Sequence, residues 1–193
     1  MEILLIRHGQ AVDEAPGLGD AGRWLTAKGR KVTRKVARWV AKSDKRRPAT
    51  IWTSPLVRAV QTAEILAAEV GYKGELRCSV QLSPGHDPGD LIKQLGSEAF
   101  EGPLALVGHE PSLSLIANAL LGDIGLTGLR KSSVLGLSWA EGRGAFRFLL
   151  DPATMKATKR IAPPRAEAPA ASTNGNGGAA AAGASSNGTR SEP

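Results

Sequence analysis

The chain has 193 residues, 41% hydrophobic and 22% charged, with a formal net charge of +7 and one cysteine, Cys78. That length and apolar content fit one globular domain with a core of ordinary size. A lone cysteine excludes an intrachain disulfide and leaves a zinc cluster short of ligands, and no stretch approaches the roughly 18 apolar residues of a membrane span.

"MEILLIRHG" opens the chain with an acidic second residue and too short an apolar run for a secretory leader, so a cytoplasmic protein is expected. Residues 2 to 6 read as a short buried strand, which runs out in "LLIRHGQA", where Arg7 stands beside His8. A loop with Pro16, Gly17, Gly19 and Gly22 follows. Its "GLGDAG" matches G-x-G-x-x-G on paper, but it lies too far beyond the strand to cradle a dinucleotide and reads as a plain loop. From about Thr26, Val32, Val36, Trp39 and Val40 recur at helical spacing and predict a helix with one core stripe. The basic residues of "KGRKVTRKVARWVAKSDKRR", residues 28–47, surround that stripe. They read as a solvated face, the alternative being a patch for an acidic partner or nucleic acid, and the scarcity of aromatics weakens the nucleic-acid version.

"ATIWT", residues 49–53, is a second strand. "SPLVRAVQTAEILAAEV" then opens a helix, with Ser54 able to cap, Pro55 suited to the first position and Arg58 on the first turn. "ELRCSV" is a weaker strand, and "DPGDLIKQLG" a short helix that Asp87 can cap. "PLALVGH" is another buried strand and "EPSLSLIANALLG" its helix, with His109 at the junction. "SVLGLSWA" and "GAFRFLL" form a hairpin across "EGRG". From Arg165 onward Ala, Gly, Ser and Asn dominate with almost no large apolar residue, a composition that cannot offset the entropy of ordering. A compact domain is therefore expected over residues 1–160 and a disordered tail over 161–193.

Strands alternating with helices predict an α/β fold: a three-layer sandwich with a mainly parallel central sheet, helices on both faces and a final pair of strands at one edge. In such sheets ligands bind beyond the carboxyl ends of the strands. Three polar clusters sit at such ends: "RHG" with Arg7 and His8, "TSPLVR" with Arg58, and "GH" with His109. Arg58 and His109 lie near helix N-termini, which favour an anion. Two guanidinium groups can clasp an oxyanion through charge-assisted hydrogen bonds worth about 1.5–3 kcal/mol each. The His8 imidazole adds a nucleophile, and nearby cations favour the neutral ring that carries a free lone pair. Neither a metal nor a cofactor is implied by this chemistry.

"LLIRHGQA", "TSPLVRAVQTAEIL" and "LALVGHEPSL" resemble the three motifs of the histidine phosphatase superfamily, the group that includes phosphoglycerate mutases. The resemblance implies a phosphoglycerate mutase-like fold, His8 as the phosphorylated nucleophile, and Arg7, Arg58 and His109 as the phosphate pocket. "DAGRWLTAKGR", with Asp20, Arg23, Leu25, Thr26 and Gly29 in step, is similar to the matching segment of SixA-type phosphohistidine phosphatases. Like those proteins, the chain has short connections, without the large insertions that cover the site in mutases. The implied partner is a phosphohistidine-bearing protein such as a phosphotransfer domain. Larger relatives place an acidic carboxylate after the third strand, where this chain reads "VQLSPGHDPGD" without a glutamate. Asp87 is the first candidate acid, although it also reads as a helix cap, with Asp90 and His86 behind it. SixA-type members also lack the usual acid, and a phosphoramidate needs it least, because the leaving imidazole can be protonated before the bond breaks. The alternatives are a phosphomonoesterase of a small nucleotide or sugar phosphate, and a non-catalytic anion or nucleic-acid binding protein using the basic helix 28–47.

Overall fold

Alternating burial decides how the first strand sits. Ile3 and Leu5 pack into one apolar cluster, Leu4 and Ile6 into another, and all four are buried. In the computed structural model, which describes residues 1–14 and 17–160, β1 (Glu2–Arg7) is accordingly covered on both faces. The tail expected over 161–193 lies outside the described residues.

Six more strands complete one seven-stranded sheet: β2 (Thr50–Thr53), β3 (Leu76–Cys78), β4 (Leu104–Gly108), β5 (Val134–Ala140), β6 (Arg143–Asp151) and β7 (Lys156–Thr158). Their spatial order is β3-β2-β4-β1-β5-β6-β7. The first four in that order run parallel, and β5, β6 and β7 continue the sheet antiparallel from β1. Helices α1 (Ala27–Ala41) and α2 (Val57–Val70) supply one cluster, α3 (Pro88–Gly96) and α4 (Ser112–Leu121) the other. The result is the expected α/β three-layer sandwich. The antiparallel edge is one strand longer than expected, because all three residues of β7 are exposed and carry no apolar pattern.

Two helix readings are corrected. In α1 the buried residues are Gly29, Thr33, Val36, Ala37 and Val40, whereas Val32 and Trp39 are only half-buried. The stripe is rotated because Gly29 and Thr33 lie against the chain leaving β1. Helix α2 starts at Val57, and Leu56 rather than Ser54 is its N-cap residue. The Ser54 hydroxyl accepts from Leu56 N–H at 3.3 Å, yet it also reaches a histidine, as described below. Thr26 caps α1 by accepting from Gly29 N–H at 2.9 Å, and Asp87 caps α3 by accepting from Gly89 N–H at 2.7 Å.

The approach of α1 to the chain leaving β1 depends on two glycines. A Cβ at Gly29 would stand 2.0 Å from the Gln10 carbonyl oxygen, and one at Gly9 would stand 2.5 Å from Thr33 Oγ1. Gly9 is thus crowded by α1. We expect Gly29→Ala to destabilise the fold, because the gain in helix propensity of about 1 kcal/mol meets an overpacking cost of about 1–3 kcal/mol or more against a backbone atom. A lower urea midpoint with an unchanged slope would bear this out; a midpoint at or above that of the parent would contradict it.

Candidate active site

Parallel pairing of β1 with β4 sets Arg7 opposite Gly108, so the residues that follow, His8 and His109, emerge side by side. The His8 N–H donates to the Gly108 carbonyl at 3.0 Å. From there α1 packs on one face of the sheet and α4 on the other, which opens a crevice at the strand ends. The two imidazole rings lie 4.8 Å apart between centroids. Strand β2 pairs Thr53 with Val107, so Ser54 and then Arg58, on the first turn of α2, arrive at the same place. The four side chains expected to converge do so: His8, Arg58 and His109 are 6%, 4% and 2% exposed, and Arg7 is half-buried.

Hydrogen bonds fix much of the proton inventory. His8 Nδ1 lies 2.7 Å from the Gly9 carbonyl, which can only accept, so Nδ1 carries the proton and Nε2 the lone pair. Burial pushes the His8 pKa down to about 4, opposed by the bond to Gly9 and reinforced by Arg58, Arg7 and Lys131. His109 is pushed down to about 3, first by burial and then by His8 and Arg58, with Asp20 opposing. Both rings are neutral at neutral pH. The cations expected to favour this state contribute, but loss of water is the larger cause. His109 Nε2 lies 2.9 Å from Ser54 Oγ, which in turn lies 3.2 Å from Ser83 Oγ, while His109 Nδ1 is buried without a protein partner.

Two carboxylates join the site that spacing alone did not mark. Asp20 comes from the loop read as plain. Arg58 donates to its carbonyl at 2.7 Å and to its carboxylate at 2.8 Å, and Arg23 donates to the other carboxylate oxygen at 2.9 Å. The bond from Arg58 is the main reason the Asp20 carboxyl sits below the usual range. Its only sequence signal was the likeness of "DAGRWLTAKGR" to the SixA segment. Glu110, directly after His109, accepts from Leu129 N–H at 3.1 Å and from the Ser114 hydroxyl. Arg7 donates to the carbonyl of the same Leu129. Burial lowers the Arg7 pKa and the Glu110 charge opposes that shift.

The candidate acids are not part of this buried cluster. Asp87, Asp90 and His86 are exposed; the Asp87 carboxylate caps α3, and Asp90 lies 3.7 Å from Lys93 of the same helix. Asp87 is therefore engaged as the cap that its sequence also allowed. Among the described residues no group of three or more His, Cys, Asp or Glu side chains is gathered to hold a metal, and no helix is long and apolar enough to cross a membrane.

The depressed pKa values have a definite sign. In the unfolded chain both histidines protonate near 6.5, so as pH falls below that value the unfolded state takes up protons that the folded state refuses. Their contribution to stability is complete above pH 6.5 and is lost on acidification towards about 4 for His8 and about 3 for His109. We expect His109→Gln to have a shallower dependence of unfolding free energy on pH between 6.5 and about 4 than the parent; equal slopes would show that His109 is not held neutral.

The model of the histidine phosphatase superfamily (branch 1) matches residues 3–82, the span that contains Arg7, His8 and Arg58. An uncharacterized protein of Picosynechococcus sp. is 38% identical over 144 residues, covering 71% of this chain and 84% of that protein. The structure of the protein histidine phosphatase SixA complexed with tungstate superposes with a TM-score of 0.71 at 24% identity, covering 81% of this chain and 100% of SixA. A mycobacterial glucosyl-3-phosphoglycerate phosphatase complexed with VO3 gives a TM-score of 0.60 at 22% identity, covering 75% of this chain and 96% of that one. At these identities the structural likeness establishes the fold, a phosphoglycerate mutase-like sandwich. With two histidines and two arginines gathered at the carboxyl ends of β1, β2 and β4, the chain belongs to the histidine phosphatase superfamily.

Proposed function

We propose that this protein is a cytoplasmic, metal-independent phosphohistidine phosphatase that removes phosphate from a protein phosphohistidine through a phospho-His8 intermediate. The observation that carries this reading is the state of His8: a buried neutral ring whose Nδ1 is tied to the Gly9 carbonyl and whose Nε2 is left with a lone pair, beside His109 and two arginines. In the first step His8 Nε2 forms a bond to phosphorus as the substrate's P–N bond breaks. The departing imidazole, protonated beforehand, leaves as the neutral base. In the second step water attacks phosphorus, its oxygen and protons leave on inorganic phosphate, and the electron pair returns to Nε2.

Arg7 and Arg58 neutralise the phosphoryl oxygens, which is most of what a largely dissociative transfer requires. Ser54 adds a tautomeric role. Its oxygen already accepts from Leu56 N–H, and donation of its proton to His109 Nε2 leaves the ring proton of neutral His109 on Nδ1, which is buried without a protein partner. Engagement of the carboxylates nearest the site and of the first candidate acid favours a P–N substrate, whose leaving group needs little help. Asp20, Glu110 and Asp87 already have hydrogen-bond partners. A small phosphoester is the second reading, favoured by the low exposure of His8 and His109, which suits a narrow substrate.

The deciding experiment follows phosphate release from a phosphohistidine-bearing phosphotransfer domain and from a panel of small nucleotide and sugar phosphates, with an alkaline quench to retain label on His8. Release from the phosphohistidine domain is expected, with His8→Ala lowering it by at least about a thousandfold. Release from one small ester alone would instead support the second reading, and turnover that survives His8→Ala would overturn both. Arg58→Ala should lower kcat/KM by about 10- to 100-fold, the equivalent of one charge-assisted bond of about 1.5–3 kcal/mol. An unchanged kcat/KM would remove Arg58 from the phosphate pocket.

A further inference from the structure

A groove of about 570 Å3 runs along α1, outside the histidine pair, lined by Lys31, Lys35 and Lys42 with Trp39 and Met155. Arg34 and Arg38 also border it, but both lean on Glu69, at 3.9 and 2.8 Å. Among the described residues the three lysines have no carboxylate within ion-pair distance. Spaced by four and then seven residues, they stand on one flank of the helix at successive rises of about 6 and 10 Å. The groove therefore offers a row of unneutralised charge above a small apolar floor.

This row begins at the level of the candidate site along α1. Thr33 of α1 bonds Ser132 at 3.1 Å, and the neighbouring Lys131 is one of the cations that act on His8. Gly29 and Thr33 of α1 lie against Gln10 and Gly9, next to His8, so Lys31, on the outer face of the helix between them, stands at the level of the site and the lysine row runs away from it along α1. A protein whose phosphorylated histidine enters the His8 pocket has neighbouring surface that must lie somewhere around this rim.

Resting on the phosphatase reading above, we propose that the α1 groove docks an acidic helix of the phosphorylated protein substrate. Carboxylates repeating at one-turn spacing meet Lys31, Lys35 and Lys42, and an apolar side chain between them packs on Met155 beside Trp39. Nucleic acid fits this surface less well. The Trp39 ring is covered by the Arg46 guanidinium at 3.9 Å and by the Phe148 ring at 5.2 Å, which leaves it unavailable for stacking on a base.

The test compares the parent with a Lys31→Glu, Lys35→Glu, Lys42→Glu triple variant. The three side chains are on the helix surface, and circular dichroism and thermal unfolding check that the variant is folded. Two substrates are used: an acidic helical phosphotransfer domain carrying phosphohistidine, and phosphoimidazole, which has no surface to dock. We expect KM for the phosphorylated domain to rise by about tenfold or more, with kcat and the kinetics on phosphoimidazole unchanged. Raising salt should raise KM for the domain in the parent and not in the variant. Unchanged kinetics on both substrates would overturn the proposal, and so would an equal loss on both. If the parent releases phosphate from neither substrate, the phosphatase reading fails by itself. Titration of the unphosphorylated acidic domain onto both proteins, followed by fluorescence anisotropy, then still decides the docking. Tight binding to the parent that the variant loses supports it. Binding of a labelled oligonucleotide in place of the domain overturns it.

Discussion

Everything at the candidate site depends on one pairing: β1 lies beside β4, parallel and in a register that sets Arg7 against Gly108. Shift that register by one residue and the histidines separate, because side chains in strands alternate between faces. The pairing is held by burial on both sides of the sheet, where Ile3, Leu5, Leu104 and Leu106 pack against α3 and α4 while Leu4, Ile6, Ala105 and Val107 pack against α1 and α2. Apolar burial thus fixes the strands, the strands fix the two imidazoles, and the helices leaving to opposite faces keep the space above them open.

Placing two arginines and two histidines together would be unfavourable if all four were charged. The chain resolves this in two ways. Burial keeps both imidazoles neutral, so the positive charge resides on the guanidinium groups alone. Carboxylates then support those guanidiniums from behind: Asp20 holds Arg58 directly, while Glu110 acts on Arg7 through its charge and bonds the N–H of Leu129, whose carbonyl accepts from Arg7. A phosphoryl group arriving at such a site meets fixed donors that need little rearrangement, which is the condition for effective charge stabilisation.

Much of the fold was legible because its signals are local. Apolar runs marked β1, β2 and β4, the Asp87–Pro88 pair marked the start of α3, and polar residues at three strand ends marked where the site would form. What escaped reading was set by contacts between distant segments. The buried stripe of α1 passes through Thr33 rather than Val32 because Thr33 lies against Gly9 of the chain leaving β1 and bonds Ser132, far along the chain. Ser54 looked like an ordinary cap and instead reaches His109, brought to it by the pairing of β2 with β4. Strand β7 is built from three exposed residues whose only reason to be extended is the edge of β6.

The sequence by itself determined the α/β alternation, the residue types able to handle a phosphoryl group, and their position after strands, since periodicity and motif are written in neighbouring residues. The tertiary structure alone decided which nitrogen of His8 carries the proton and that Asp20 and Glu110 stand behind the arginines. The folded site buries the His8 ring and turns it onto the Gly9 carbonyl, and hydrogen bonds between segments far apart in the chain place the two carboxylates, neither of which a local pattern encodes.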